Sequence, residues 1–167
     1  MIPIISVVGK SDSGKTTLLE KLIRELANRG YKVGSIKHDA HSFEIDHEGK
    51  DSWRHKKAGA TITLISSPSK IAIVLDSDHD HTLTELRDKF IKDVDIVLTE
   101  GFKRETLPKI EVFRSEMRRE LLCSEDDNLI AIAGDPETAP VGVPIFDLNN
   151  PAPLADFIEN KFLVACR

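Results

Sequence analysis

The sequence predicts an α/β fold: a mainly parallel sheet flanked by helices on both sides, with an antiparallel hairpin at one edge. Two patterns carry that expectation. Short β-branched runs without polar alternation, such as Ile4–Val8, Val94–Thr99 and Leu129–Ala133, mark strands covered on both faces. After the first of these, Leu19, Leu22, Ile23 and Leu26 recur at helical spacing. A length of 167 residues suits one domain over 1–167.

In chain order, Ile4–Val8 is the first strand and Thr16–Arg29 the first helix, with Gly30 as its stop. Tyr31–Lys37 returns to strand character, and the polar stretch Asp39–Gly49 reads as a loop. Lys50–Lys57 reads as a short helix ending at Gly59. Ala60–Ile65 and Lys70–Leu75 flank a turn at Ser66–Pro68 and form the expected hairpin. Thr82 and Glu85 make a capping box ahead of a helix over Leu83–Ile91. Val94–Thr99, Lys109–Phe113 and Leu129–Ala133 are three further strands. Asn150 and Pro151 suit the N-cap and first position of a last helix running to about Phe162.

Composition narrows the function classes. Hydrophobic residues make up 40% of the chain and aromatics only 5%, so Ile, Val and Leu build the core. A net charge of −5 argues against nucleic acid or an anionic membrane as the main partner. Cys123 and Cys166 form no CxxC pair and suggest neither a zinc site nor a secreted disulfide scaffold. The N-terminus lacks a basic leader, and no apolar run reaches the roughly 18–20 residues that span a bilayer. A cytoplasmic protein is expected.

The chemistry is concentrated directly after the first strand. Gly9-Lys10-Ser11-Asp12-Ser13-Gly14-Lys15-Thr16 is a complete G-x-x-x-x-G-K-[ST] Walker A motif, which narrows the fold to the P-loop NTPase kind. Gly9 and Gly14 let successive N–H groups turn inward as an anion nest. The helix that follows adds its positive end. Lys15 can reach β- and γ-phosphates, and the Thr16 hydroxyl suits Mg²⁺.

A second element supports the first. Asp95–Gly101 is an apolar strand ending in Glu100, and ligands of parallel sheets sit beyond the carboxyl ends of strands. Glu100 therefore suits a Walker B role on Mg²⁺, and Asp39, just after the second strand, could be another metal or metal-water ligand. Lys15, Glu100 and Asp39 are the residues expected to carry catalysis. Lys37 could meet phosphate, whereas His38 and His41 specify no third ligand and read as solvated loop residues. The run Asp76-Ser77-Asp78-His79-Asp80-His81 offers metal-ligand types, but a polar turn before the Thr82 cap explains it more simply. Trp53, between Lys50 and Arg54, could stack on a heterocycle, mark a subunit contact or fill the core. Base choice is open, because no [NT]-K-x-D motif is present. Asp135 could accept two hydrogen bonds from guanine or simply belong to the turn Gly134-Asp135-Pro136.

Together these residues resemble the family of molybdopterin-guanine dinucleotide biosynthesis protein B. The resemblance rests on GKSDSGKTTLLEKLI at 9–23, KHDAHSFEID at 37–46, GKDSWRHKKAGA at 49–60 and TEGFK at 99–103. The KHDAH and DSWRH blocks are far more specific than the Walker A stretch. The pattern from Asp95 to Gly101 is also similar to nickel-enzyme maturation GTPases. The resemblance implies a GTP-binding homodimer with weak GTPase activity, assisting the guanylyltransferase that attaches a guanosine nucleotide to molybdenum cofactor. Position by position it implies that Gly9 through Thr17 hold the phosphates, Thr16 and Glu100 the Mg²⁺, and that Asp39 belongs to a switch-like loop. It also favours guanine.

A nucleotide-dependent adapter is thus the leading expectation. Its chemistry should be slow: no arginine is placed as an obvious finger and no glutamine stands near Glu100, parts worth about 10³–10⁵ in turnover where present. Other users of the same Walker A site are a small-molecule kinase with Asp39 as base, a metallocentre-maturation GTPase and a non-catalytic binding module.

Overall fold

The computed structural model describes residues 1–39, 43, 45–117, 120–123, 127–137 and 139–163. Its contacts divide the chain into two compact units, residues 1–38 with 82–167 and residues 39–81.

The first unit is built on six parallel strands: β1 (Ile4–Val8), β2 (Val33–Lys37), β5 (Ile96–Glu100), β6 (Lys109–Phe113), β7 (Leu129–Gly134) and β8 (Ile145–Phe146). Their order across the sheet is β2-β5-β1-β6-β7-β8. All five residues of β1 are buried, which is why its sequence shows no polar alternation. Ile5 and Val7 face one core with Leu18, Leu22 and Leu26 of α1 (Lys15–Asn28) and with Leu154 and Ile158 of α4 (Ala152–Ile158). Ile4 points the other way, to Leu83 of α3 (Leu83–Phe90) and to Val97. Leu22 has no exposed surface, so Leu22→Ala should cost about 2–5 kcal/mol. Arg29 ties α1 to the last helix through Asp156 and Glu159 at 2.6 and 2.9 Å.

β6 departs from the apolar pattern. Lys109 and Glu111 share one face of it, and both are buried. The Lys109 ammonium donates to the carbonyls of Glu105 and Asp127, and Glu111 accepts the N–H groups of Leu122 and Cys123 at 2.7 and 2.9 Å. Each charge is thus spent on loop backbone, before β6 and in the second half of the β6–β7 connection. Burial and the neighbouring Glu111 charge push the Cys123 thiol up to about 12.

The second unit holds α2 (Asp51–Lys57) and a hairpin of β3 (Ile62–Ser67) and β4 (Lys70–Leu75). Here the structure corrects the sequence reading. The hairpin is a two-stranded sheet of its own, and the edges of the parallel sheet are β2 and β8. The physical reason is local. A tight turn at Pro68-Ser69 lets β3 and β4 satisfy each other from Ile62↔Leu75 to Ser67↔Lys70. β8 escapes a sequence reading because two residues show no periodicity. The capping box at Thr82 and Glu85 is present, while the last helix starts one residue later than expected, at Ala152. Asn150 still accepts the Ala152 N–H, at 3.4 Å, and the helix continues in a π-helical turn over Glu159–Leu163. Among the described residues no helix is long and apolar enough to cross a membrane. His41 and Cys166 lie outside the described residues.

Candidate functional site

The loop from Gly9 to Gly14 leaves the carboxyl end of β1 and turns straight into α1. Its path needs glycine at both ends. At Gly9, with φ 150°, a Cβ would sit 2.7 Å from the Val112 carbonyl oxygen and 2.8 Å from Ser13 Oγ. At Gly14, with φ 97°, a side chain would be strained and would press on the Arg114 guanidinium at 3.4 Å. Asp12 also adopts a left-handed conformation, with φ 63°. Gly14 is the N-cap residue of α1, no side chain caps it, and no acid stands in the first turn. The positive end of a 14-residue helix is therefore open to an anion. Ser13 Oγ is buried with no hydrogen-bond partner, a polar atom with unspent capacity inside the same loop.

Around this loop the structure brings together the expected partners. Lys15 Nζ donates to the Lys10 carbonyl at 2.8 Å, which folds the ammonium back over the loop. The parallel register sets Glu100 opposite Val7, and the Thr16 hydroxyl lies 3.0 and 2.9 Å from the two Glu100 oxygens. A hydroxyl and a carboxylate in contact form an all-oxygen donor set, which fits Mg²⁺ and its preference for few protein ligands. Ser11, Asp12 and Thr17 are exposed along the rim. Lys37 lies opposite Glu100 in the β2–β5 pairing, and the His38 ring packs on Phe102 at 4.6 Å. Asp39 is the first residue of the second unit and is described with it. Trp53, on α2, is half-buried with Lys57 Nζ 5.2 Å from its ring centroid.

A cavity of about 380 Å³ opens along the same sheet edge, at the ends of β6, β7 and β8. Arg114, Asp135, Phe146 and Asp147 are among its walls. Asp135 follows β7 and accepts the Ser115 N–H at 3.0 Å and the Ser115 hydroxyl at 2.6 Å. The hydroxyl bond, then the amide bond, hold its carboxyl below the usual carboxylate range. Arg114 is the residue that sequence reasoning missed. Its Nε donates to the Ser13 carbonyl at 3.0 Å and the residue also lines the cavity, so one residue belongs to both features. The only signal was its place, directly after the carboxyl end of a parallel strand.

Comparison with known proteins agrees with this geometry. Residues 4–135 match the family model described as molybdopterin guanine dinucleotide synthesis protein B. The chain is 40% identical over 160 residues to the molybdopterin-guanine dinucleotide biosynthesis adapter protein of Haemophilus influenzae, covering 95% of this chain and 89% of that one. It is 36% identical over 167 residues to the Escherichia coli protein of the same name, covering 95% and 92%. Among solved structures, Bacillus subtilis MobB superposes with a TM-score of 0.76 at 30% identity, covering 96% of this chain and 98% of that one.

Proposed function

The chain belongs to the molybdopterin guanine dinucleotide synthesis protein B family, and on that footing we propose that it is a GTP- and Mg²⁺-binding adapter in molybdopterin guanine dinucleotide biosynthesis. The single observation that carries the nucleotide is the loop itself: a glycine-bounded turn with a buried, unpartnered Ser13 hydroxyl, opening onto an uncapped helix end. Lys15 and the amides of residues 9–17 hold the phosphates. Thr16 and Glu100 hold the Mg²⁺, which when bound neutralises phosphate charge. Asp135 reads the guanine edge from the neighbouring cavity, whose volume is in the range of small-ligand pockets (about 300–1,000 Å³).

Hydrolysis is slow in this reading. The chain contains no glutamine to orient water, and the Arg114 guanidinium is engaged with the loop carbonyl of Ser13. The nucleotide state is then a signal to the guanylyltransferase partner, with bulk turnover excluded. The working unit is a homodimer. In support, Ile62, Leu64, Ile71 and Ile73 lie on one face of the hairpin with 57, 57, 66 and 47% of their surface exposed, and a lone two-stranded sheet is marginal in water. Ile71→Lys should shift sedimentation from dimer to monomer.

The deciding experiment is a calorimetric titration with GTP, ATP and their diphosphates, with and without Mg²⁺. Guanine preference, Mg²⁺ dependence and little turnover are expected. Strong nucleotide consumption that depends on a small acceptor would overturn the adapter in favour of a kinase.

A further inference from the structure

The segment after β4 plays no part in the nucleotide site. Its sequence reads as a polar turn, yet its fold gathers side chains. One ligand atom from each of Asp78, His79 and His81 lies within 4.8 Å of the others. The two imidazoles meet edge to face, 4.0 Å between centroids, and Asp78 Oδ1 lies 2.6 Å from His79 Nδ1. The Ser77 hydroxyl donates to the His79 carbonyl and holds the bend. We propose that Asp78, His79 and His81 form a binding site for a divalent transition cation of the zinc class, with water completing its shell.

Three physical points support the assignment. His79 and His81 flank a single residue at a bend, and their rings meet on the same side with centroids 4.0 Å apart. Two imidazoles and one carboxylate are a donor set that borderline cations such as Zn²⁺, Ni²⁺ and Cu²⁺ prefer and Mg²⁺ does not. Bonds of about 2.0–2.2 Å put tetrahedral ligand atoms roughly 3.3–3.6 Å apart, so separations of up to 4.8 Å must close and the 2.6 Å Asp78–His79 contact must open. Side-chain torsions at Asp78 and His79 can supply that adjustment, since they are 90 and 51% exposed. Binding turns the Asp78–His79 contact into two metal ligands. The site is thereby chemically orthogonal to Thr16 and Glu100, whose donors are all oxygen.

The test uses the full chain, stripped with a chelator and kept in excess Mg²⁺. Calorimetry with Zn²⁺ should give a single saturable site, and Co²⁺ should give the visible bands of nitrogen–oxygen ligation. His79→Ala and His81→Ala should each weaken Zn²⁺ binding by roughly 10- to 100-fold or more, the loss that even an outer-shell partner brings. Asp78→Asn should weaken it less, and His55→Ala on α2 should not change it. Circular dichroism checks that each variant is folded. If Zn²⁺ does not bind above Mg²⁺, or if the double variant H79A/H81A binds it as tightly as wild type, the site does not exist. GTP affinity should be the same in all these variants, so a failed nucleotide reading leaves this result standing.

Discussion

The loop at Gly9–Gly14 and the cavity beside Asp135 share one sheet edge but are made of different material. The loop is made of backbone: its shape comes from positive φ angles, an uncapped helix end and a Val112 carbonyl packed against Gly9. The cavity is walled mostly by residues with side chains, Arg114, Glu116, Asp135, Asp147 and Asn149 being its polar ones. Backbone sites are rigid and indifferent to which molecule carries the phosphates. Side-chain sites can discriminate, and they can also drift. The contrast predicts that damage to the loop is severe and unselective, while damage to the cavity is mild and selective.

Substitutions can break or sharpen that contrast. Gly9→Ala should be the most harmful, because its Cβ collides with strand backbone that cannot yield. We expect at least about 100-fold weaker binding of GTP and ATP alike, with about 1–3 kcal/mol lost in chemical denaturation. Lys15→Ala removes charge-assisted hydrogen bonds to phosphate and should weaken both triphosphates about 10- to 100-fold by calorimetry, leaving their ratio intact. Asp135→Ala should lower GTP affinity about 10-fold and leave ATP unchanged; an unaltered ratio would remove Asp135 from base reading. Arg114→Met should loosen the loop by one charged hydrogen bond, costing about 5-fold for either nucleotide. The smallest effect is electrostatic. Ser115→Ala should raise the Asp135 carboxyl toward its ordinary 3.8, read by NMR titration. Because folding depresses this group, the contact stabilises the protein above the unfolded carboxyl range and fades as pH falls below it.

The same contrast explains which parts were legible in the sequence. A backbone-built site needs certain residue types at fixed spacing, so Gly9, Gly14, Lys15 and Thr16 announce themselves. Glu100 was legible because it ends an apolar strand, and the parallel sheet delivers strand ends to one edge. Arg114 was not, since its partner is a main-chain carbonyl 101 positions away in sequence and no spacing encodes that. The hairpin's separation from the parallel sheet was equally hidden: strand content is local, but the neighbour a strand chooses is not. Asp78, His79 and His81 lay side by side in the sequence, yet only the bend brings their ligand atoms together.

Arg114 has one more consequence. The Arg114 side chain donates to the Ser13 carbonyl and the same residue lines the cavity, so ligands at the two places would meet one residue. A nucleoside in the cavity that drew Arg114 away from the loop would change what it offers to a pyrophosphate there, and linkage would make the influence equal in both directions. Fragments added together should then bind with an affinity that their separate constants do not multiply out to, and the discrepancy should vanish in Arg114→Met.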